Sequence, residues 1–135
     1  MLLFKPYHVE AVIIGRKTQT RRNWKKPRVK IGSRHFAKTV MLSPVWFARV
    51  EILDVWKEPL GAISPEDAWK EGGYTPAEFA QLFEAINGHY DPNQEITAVE
   101  FEAVEFPDWV EACIVSGCSV VDLLNNILKG GEVLV

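Results

Sequence analysis

Residues Gly15 to Arg22 read GRKTQTRR: four basic side chains, two threonine hydroxyls and a glutamine, with no acid among them. Arg16, Arg21 and Arg22 have the chemistry to grip phosphate oxygens, because a guanidinium presents a planar fork of donors. Lys25, Lys26, Arg28, Lys30 and Arg34 extend the patch. Trp24, beside Lys25, offers a face on which a base of single-stranded RNA can stack. A plainer explanation also fits, since lysine and arginine along an exposed edge strand discourage pairing with a second sheet.

Other chemistry-bearing residues are sparse. His8, His35 and His89 show no ligand spacing with one another or with Cys113 and Cys118, so no metal site is expected. Nor is a cofactor. His8 lies on the segment just before the basic string and has a minor claim to sit near it. Two cysteines are too few for a disulfide framework or a cysteine zinc cluster, and both are expected as buried free thiols.

The elements that must position these residues follow from punctuation and period. Lys5 to Gly15 reads as a short helix, with Pro6 in the first turn, Val9, Val12 and Ile13 on one face, and Gly15 able to stop it. Residues 23–33 read as a loop. Arg34–Leu42 and Val45–Val55 read as strands separated by Ser43-Pro44. Ser64-Pro65-Glu66-Asp67 starts a helix that ends near Gly72-Gly73, and Thr75-Pro76-Ala77-Glu78 starts another that stops before Asn87-Gly88. Ile96–Phe106, with the sequence ITAVEFEAVEF, alternates apolar and acidic residues as a half-buried strand does. Ser119–Leu128 reads as a further helix stopped by Gly130-Gly131, and Glu132–Val135 as a short final strand. Strands outnumber helices in the middle and parallel βαβ alternation is absent, so the expected class is α+β: a small mixed β-barrel with helices at its rim.

The chain has 135 residues, 47% of them apolar and 24% charged, which is ordinary for a globular domain with its own core. No apolar run is long enough to span a bilayer, and Met1-Leu2-Leu3-Phe4-Lys5-Pro6 is too short for a secretory leader, so a cytoplasmic protein without membrane partners is expected. The net charge of -3 conceals an asymmetry. Residues 1–50 carry twelve Lys/Arg and one acid, whereas residues 51–135 carry three and seventeen. The split implies a polyanion-facing surface opposed to an acidic one, or two halves that neutralise each other on folding.

A short helix followed by Gly-x-Lys-x-x-x-x-Arg, here Gly15, Lys17 and Arg22, resembles the signature of ASCH domains, small β-barrels of the PUA-like superfamily. Further segments match in order: the Val29-Lys30-Ile31-Gly32 turn, the Ala48–Ile52 strand, Glu66-Asp67-Ala68-x-x-Glu71-Gly72, Glu78-Phe79, and the Val99-Glu100-Phe101 strand. The resemblance covers roughly residues 3–106. It implies a PUA-like barrel over residues 1–106, with residues 107–135 as a C-terminal helical extension. That extension covers the barrel or offers a surface for a homodimer.

The resemblance also implies RNA- or nucleotide-handling chemistry in a cleft lined by the motif. One branch of the family consists of amidohydrolases that remove the acetyl group from 4-acetylcytidine, using a Lys and a Thr three apart in the motif and a Glu from a later helix. Carried onto this sequence these are Lys17, Thr20 and Glu71. A threonine hydroxyl needs a base, and Lys17 can serve only with a depressed pKa, which neighbouring arginines and burial favour. Alternatively Glu71 activates a water, with Thr20 and Lys17 as oxyanion donors. In a flat strand residues 17 and 20 point to opposite faces, so the triad requires irregular backbone between Gly15 and Thr20. The leading expectation is an amidohydrolase acting on 4-acetylcytidine or a similar modified nucleoside. The alternatives are a non-catalytic RNA-binding module and a ribonuclease using the same basic cleft.

Overall fold

A computed structural model of the chain describes residues 1–129. Five strands form one mixed sheet in the order β1-β3-β4-β5-β2: β1 (Leu2–Leu3), β2 (Gln19–Arg22), β3 (Arg34–Lys38), β4 (Ala48–Pro59) and β5 (Glu95–Glu105). Only β1 and β3 run parallel; the other ladders are antiparallel. The long β4–β5 pair carries two register shifts, between Arg49 and Val50 and between Ile52 and Asp54, which bend it. The sheet curls into a half-barrel whose edges are β1 and β2.

Helices surround this sheet. A 3₁₀ turn (Pro6–His8) leads into α1 (Val9–Ile13), followed by α2 (Pro65–Lys70), α3 (Pro76–Asn87), α4 (Asp108–Ser116) and α5 (Val120–Leu128). The caps are those the sequence encodes. Ser64 Oγ accepts from the Asp67 N–H at 3.1 Å. Thr75 and Glu78 exchange both bonds of a capping box. Gly15 adopts φ +80° after α1, and Gly88 closes α3 with φ +82°.

Two apolar clusters hold the layers together. The larger joins Leu2, Phe4, Val9, Val12, Phe47, Val50, Val99 and Phe101 to Val110, Cys113, Val120 and Leu124. The C-terminal helices therefore share the core of the half-barrel. The smaller joins Leu60, Ala68, Phe79, Phe83, Ile96 and Ala98 beneath α2 and α3.

Several expectations need correction. β3 ends at Lys38 rather than Leu42, because Leu42 takes φ +63°, a left-handed conformation that breaks a strand. β4 starts later and runs past Val55 to Pro59, since its pairing with β5 continues to Glu95. Helix α4 and strand β1 were not foreseen. Cys113 and Cys118 are joined in a disulfide that links the end of α4 to the segment before α5, and are not free thiols. The expected Gly130-Gly131 stop and final strand lie outside the described residues. No helix among the described residues is long and apolar enough to cross a membrane.

Candidate active site

Irregular backbone brings the basic string into the fold. After Gly15 the chain doubles back, and the Lys17 N–H donates to Ala11 O at 2.9 Å. Thr18 is pinned from two sides: its N–H donates to Lys70 O at 2.8 Å and its carbonyl accepts from the Phe101 N–H at 2.9 Å. Only at Gln19 does β2 begin. From there side chains alternate. Arg21 pairs with Ala98 over the smaller cluster, whereas Thr20 pairs with Val99 over the larger one. Lys17 lies ahead of this alternation, so it and Thr20 border the same cavity.

That cavity, of about 320 Å³, opens between the end of β1, strand β2 and helix α3. Its volume is at the lower end of ordinary small-molecule sites. Lys17, Thr20, Arg22, Glu71 and His8 supply the polar wall, and Phe4, Phe79, Leu82 and Phe83 an apolar one.

Glu71 caps the C-terminus of α2 and is buried. The Lys17 ammonium donates to Glu71 O at 2.7 Å, Gln19 O at 3.0 Å and Glu71 Oε1 at 3.2 Å, one acceptor for each of its three hydrogens. The contact to Glu71 O satisfies a carbonyl at the helix terminus, where such groups lack partners and a cation is favoured. Burial pushes the Lys17 pKa below the usual lysine range. The Glu71 carboxylate opposes that shift, while the charges of Arg22 and Arg21 add to it.

Arg21 and Arg22 differ sharply. The Arg21 side chain is fully buried, and four hydrogen bonds and an ion pair engage all three of its nitrogens. Nε donates to Glu58 at 2.8 Å. Nη1 donates to Gln19 Oε1 at 3.0 Å and Glu71 Oε2 at 2.9 Å. Nη2 meets Glu58 at 2.6 Å and Asp67 at 3.3 Å. It borders the cavity but its nitrogens are all engaged, so the expectation that it contacts substrate or RNA is replaced by a structural role. Arg22 donates from Nε to Thr20 Oγ1 at 2.9 Å and from Nη2 to Leu3 O at 2.6 Å, with its guanidinium 5.2 Å from the centre of the Phe4 ring. None of these partners is a carboxylate. Through the Leu3 contact Arg22 bridges the two edge strands of the half-barrel.

The remaining expected contacts are not brought to the cavity. Arg16, Lys25 and Lys26 are exposed and line none of it. Trp24 is partly buried against the larger cluster, with the Arg28 guanidinium 5.8 Å from its ring centre.

Two residues come to the site with little or no sequence signal. His8 lines the cavity, and its Nε2 lies 2.8 Å from Tyr74 Oη. Burial, reinforced by the charges of Lys17 and Arg22, lowers the His8 pKa to about 3, so its imidazole is neutral at physiological pH. Burial raises the Tyr74 pKa and keeps its hydroxyl protonated, with the charges of Tyr7, Glu71 and Glu78 acting the same way. Tyr74 is placed by Gly72 and Gly73, at φ +150° and +86°. A Cβ at Gly72 would lie 2.8 Å from the Tyr74 ring. The glycine pair immediately after Glu71 was the one available hint of a close approach there.

No family model matches the sequence, and no curated protein matches it. Solved structures do. A protein of Enterococcus faecalis V583 described as DUF984 is 19% identical, with a TM-score of 0.61 over 79% of this chain and 80% of its own. An ASCH domain from Lactobacillus crispatus JV V101 is 12% identical, with a TM-score of 0.51 over 72% and 70% of the two chains. The ASCH protein of Zymomonas mobilis is 12% identical, with a TM-score of 0.54 over 86% and 77%. With its curled mixed sheet, rim helices and motif-lined cavity, the chain has the fold of the ASCH domains.

Proposed function

We propose that the cavity hydrolyses the amide of an N-acylated nucleobase, with 4-acetylcytidine or a similar modified nucleoside as substrate. The observation that carries this reading is the convergence of Lys17, Thr20 and Glu71 on one cavity, with Lys17 buried and its pKa depressed. Thr20 is the nucleophile. Its oxygen accepts from Arg22, which leaves the hydroxyl proton available for transfer. Lys17 must first give up one of its three hydrogen-bonded protons and turn the freed lone pair towards Thr20; the neutral amine then takes the hydroxyl proton and returns it to the leaving amine. Glu71 holds Lys17 in place. Both of its carboxylate oxygens are engaged, by Lys17 and by Arg21, which disfavours a water-activating role. Neutral His8, held by its hydrogen bond to Tyr74, completes a polar wall able to orient a base.

A second reading has its own support. Lys25, Lys26, Arg28 and Lys30 form no ion pair among the described residues and lie outside the cavity, as a strand-tracking RNA contact would. The deciding experiment incubates the protein with 4-acetylcytidine and separates the products by chromatography, alongside Lys17→Ala and Thr20→Ala. Cytidine from the wild type and none from either variant is expected. No cytidine from the wild type would move the assignment to RNA binding or cleavage, read by salt-dependent affinity and by shortening of RNA.

A further inference from the structure

The cations around the cavity are not equally committed. Lys17 has three acceptors for three hydrogens, and Arg21 has four hydrogen bonds and three carboxylate partners. Arg22 uses two of its five N–H groups, on a hydroxyl and a carbonyl, and no carboxylate is among its partners. It nonetheless lines the cavity beside Thr20. The Glu71 carboxylate acts on Arg22 only through its charge, because its oxygens are hydrogen-bonded to Lys17 and Arg21, so the spare donors of this largely desolvated guanidinium favour an anion supplied by the ligand. The Nε contact to Thr20 Oγ1 puts that anion next to the nucleophile rather than at a distant end of the substrate.

We propose that Arg22 forms a carboxylate subsite that stabilises the oxyanion of the reaction and then retains the acid product. The proposal rests on the amide-hydrolysis reading for its chemistry, but the subsite is testable without turnover. Thr20 Oγ bonds to the acyl carbon as its proton passes to neutral Lys17, and the carbonyl oxygen becomes an oxyanion within reach of the free Arg22 donors. Collapse breaks the C–N bond, and the Lys17 ammonium returns the proton to the leaving amine. Water then attacks the Thr20 ester and gives its proton to Lys17. The ester C–O bond breaks, the Thr20 oxygen recovers that proton, and a carboxylic acid is released that ionises to a carboxylate. One amide and one water give one acid and one amine, and the acid meets Arg22 as its anion. Phe4, Phe79 and Phe83 also line the cavity and suit the alkyl part of that acid.

Acetate and its neutral isostere acetamide separate charge from shape. Titrated into the unliganded protein and followed by calorimetry or by line-broadening of ¹³C-acetate, acetate should bind saturably and acetamide should not. In Arg22→Gln the acetate affinity should fall about tenfold or more, the usual worth of a charge-assisted hydrogen bond. Because Arg22 also bridges the edge strands, Arg22→Lys serves as the second variant. It keeps the charge and should retain acetate binding. Glu111→Gln, at an exposed position of α4 that does not line the cavity, should bind acetate as the wild type does. Equal binding in Arg22→Gln, or no saturable binding in the wild type, would overturn the proposal even if 4-acetylcytidine is hydrolysed. Arg22-dependent acetate binding without any hydrolysis would preserve the subsite and remove the amidohydrolase chemistry.

Discussion

The Arg21 guanidinium sits among three carboxylates, those of Glu58, Asp67 and Glu71, drawn from β4, α2 and the α2 C-cap. Removing it leaves three negative charges facing one another at low exposure. Truncating one member of such a network typically costs about 3–5 kcal/mol, because the partners stay desolvated and unpaired. Arg21→Ala should therefore lower stability by roughly that amount in urea unfolding, whereas Lys25→Ala should change it by less than about 0.5 kcal/mol. Similar losses in the two variants would contradict the buried network. Lys17 gives a second test at this scale. The acting base is its neutral amine, so kcat/KM should rise with pH as the ammonium loses its proton. Burial lowers that pKa, so the rise should centre below the ordinary lysine value of about 10.4. A profile that does not rise anywhere below about pH 10.4 would remove Lys17 as the proton acceptor.

At the scale of elements, the site is built where helix ends meet a bend in the chain. The C-terminus of α2 presents Lys70 O to the Thr18 N–H and Glu71 O to the Lys17 ammonium. Gly72 and Gly73 then turn the chain tightly enough for Tyr74 to return to His8 before Thr75 caps α3. Substituting Gly72 by alanine adds a Cβ 2.8 Å from the Tyr74 ring at a φ of +150°. Backbone strain of this kind costs on the order of 1–3 kcal/mol. The variant should be less stable by about that much and should lose turnover with Glu71 and Lys17 intact. Wild-type thermal stability in Gly72→Ala would show that the turn tolerates a side chain. The Ser64 cap and the Thr75–Glu78 capping box were visible in the sequence because they are local, with every partner within three residues.

For the whole molecule, α4 and α5 share the main apolar cluster with α1 and the sheet through Val110, Cys113, Val120 and Leu124. A buried leucine in such a setting is worth about 2–5 kcal/mol relative to alanine. Leu124→Ala should lower the Tm of a single cooperative transition seen by both far-UV signal and tryptophan fluorescence. Two separate transitions would mean that the C-terminal helices unfold independently of the half-barrel. The charge asymmetry resolves in part at this scale too. Lys17, Arg21 and Arg34 from the basic half pair with acids of the other half, while Lys25, Lys26, Arg28 and Lys30 remain unpaired among the described residues.

Local chemistry by itself determined the stop at Gly15, the Ser64 and Thr75 caps, the presence of β5 and the α+β class. These depend on contacts a few residues apart or on a two-residue period. The clean alternation expected of β5, by contrast, gives way to Ile96, Thr97, Ala98 and Val99 buried in succession. The ordered motifs from Gly15 to Phe101 likewise pointed to the ASCH fold that the solved structures share. What the sequence left open depended on contacts across the fold. GRKTQTRR holds two adjacent arginines of identical chemistry, and no local signal says which one three distant carboxylates will saturate. Leu42 was read as strand because a left-handed φ in a non-glycine residue has no marker in composition. His8 and Tyr74 are 66 residues apart, so their contact exists only once α1 and the α2–α3 turn are packed together. The shared cavity for Lys17 and Thr20 was decided the same way: tertiary hydrogen bonds to α1, α2 and β5 keep the chain irregular until Gln19, and the strand's alternation begins too late to separate them.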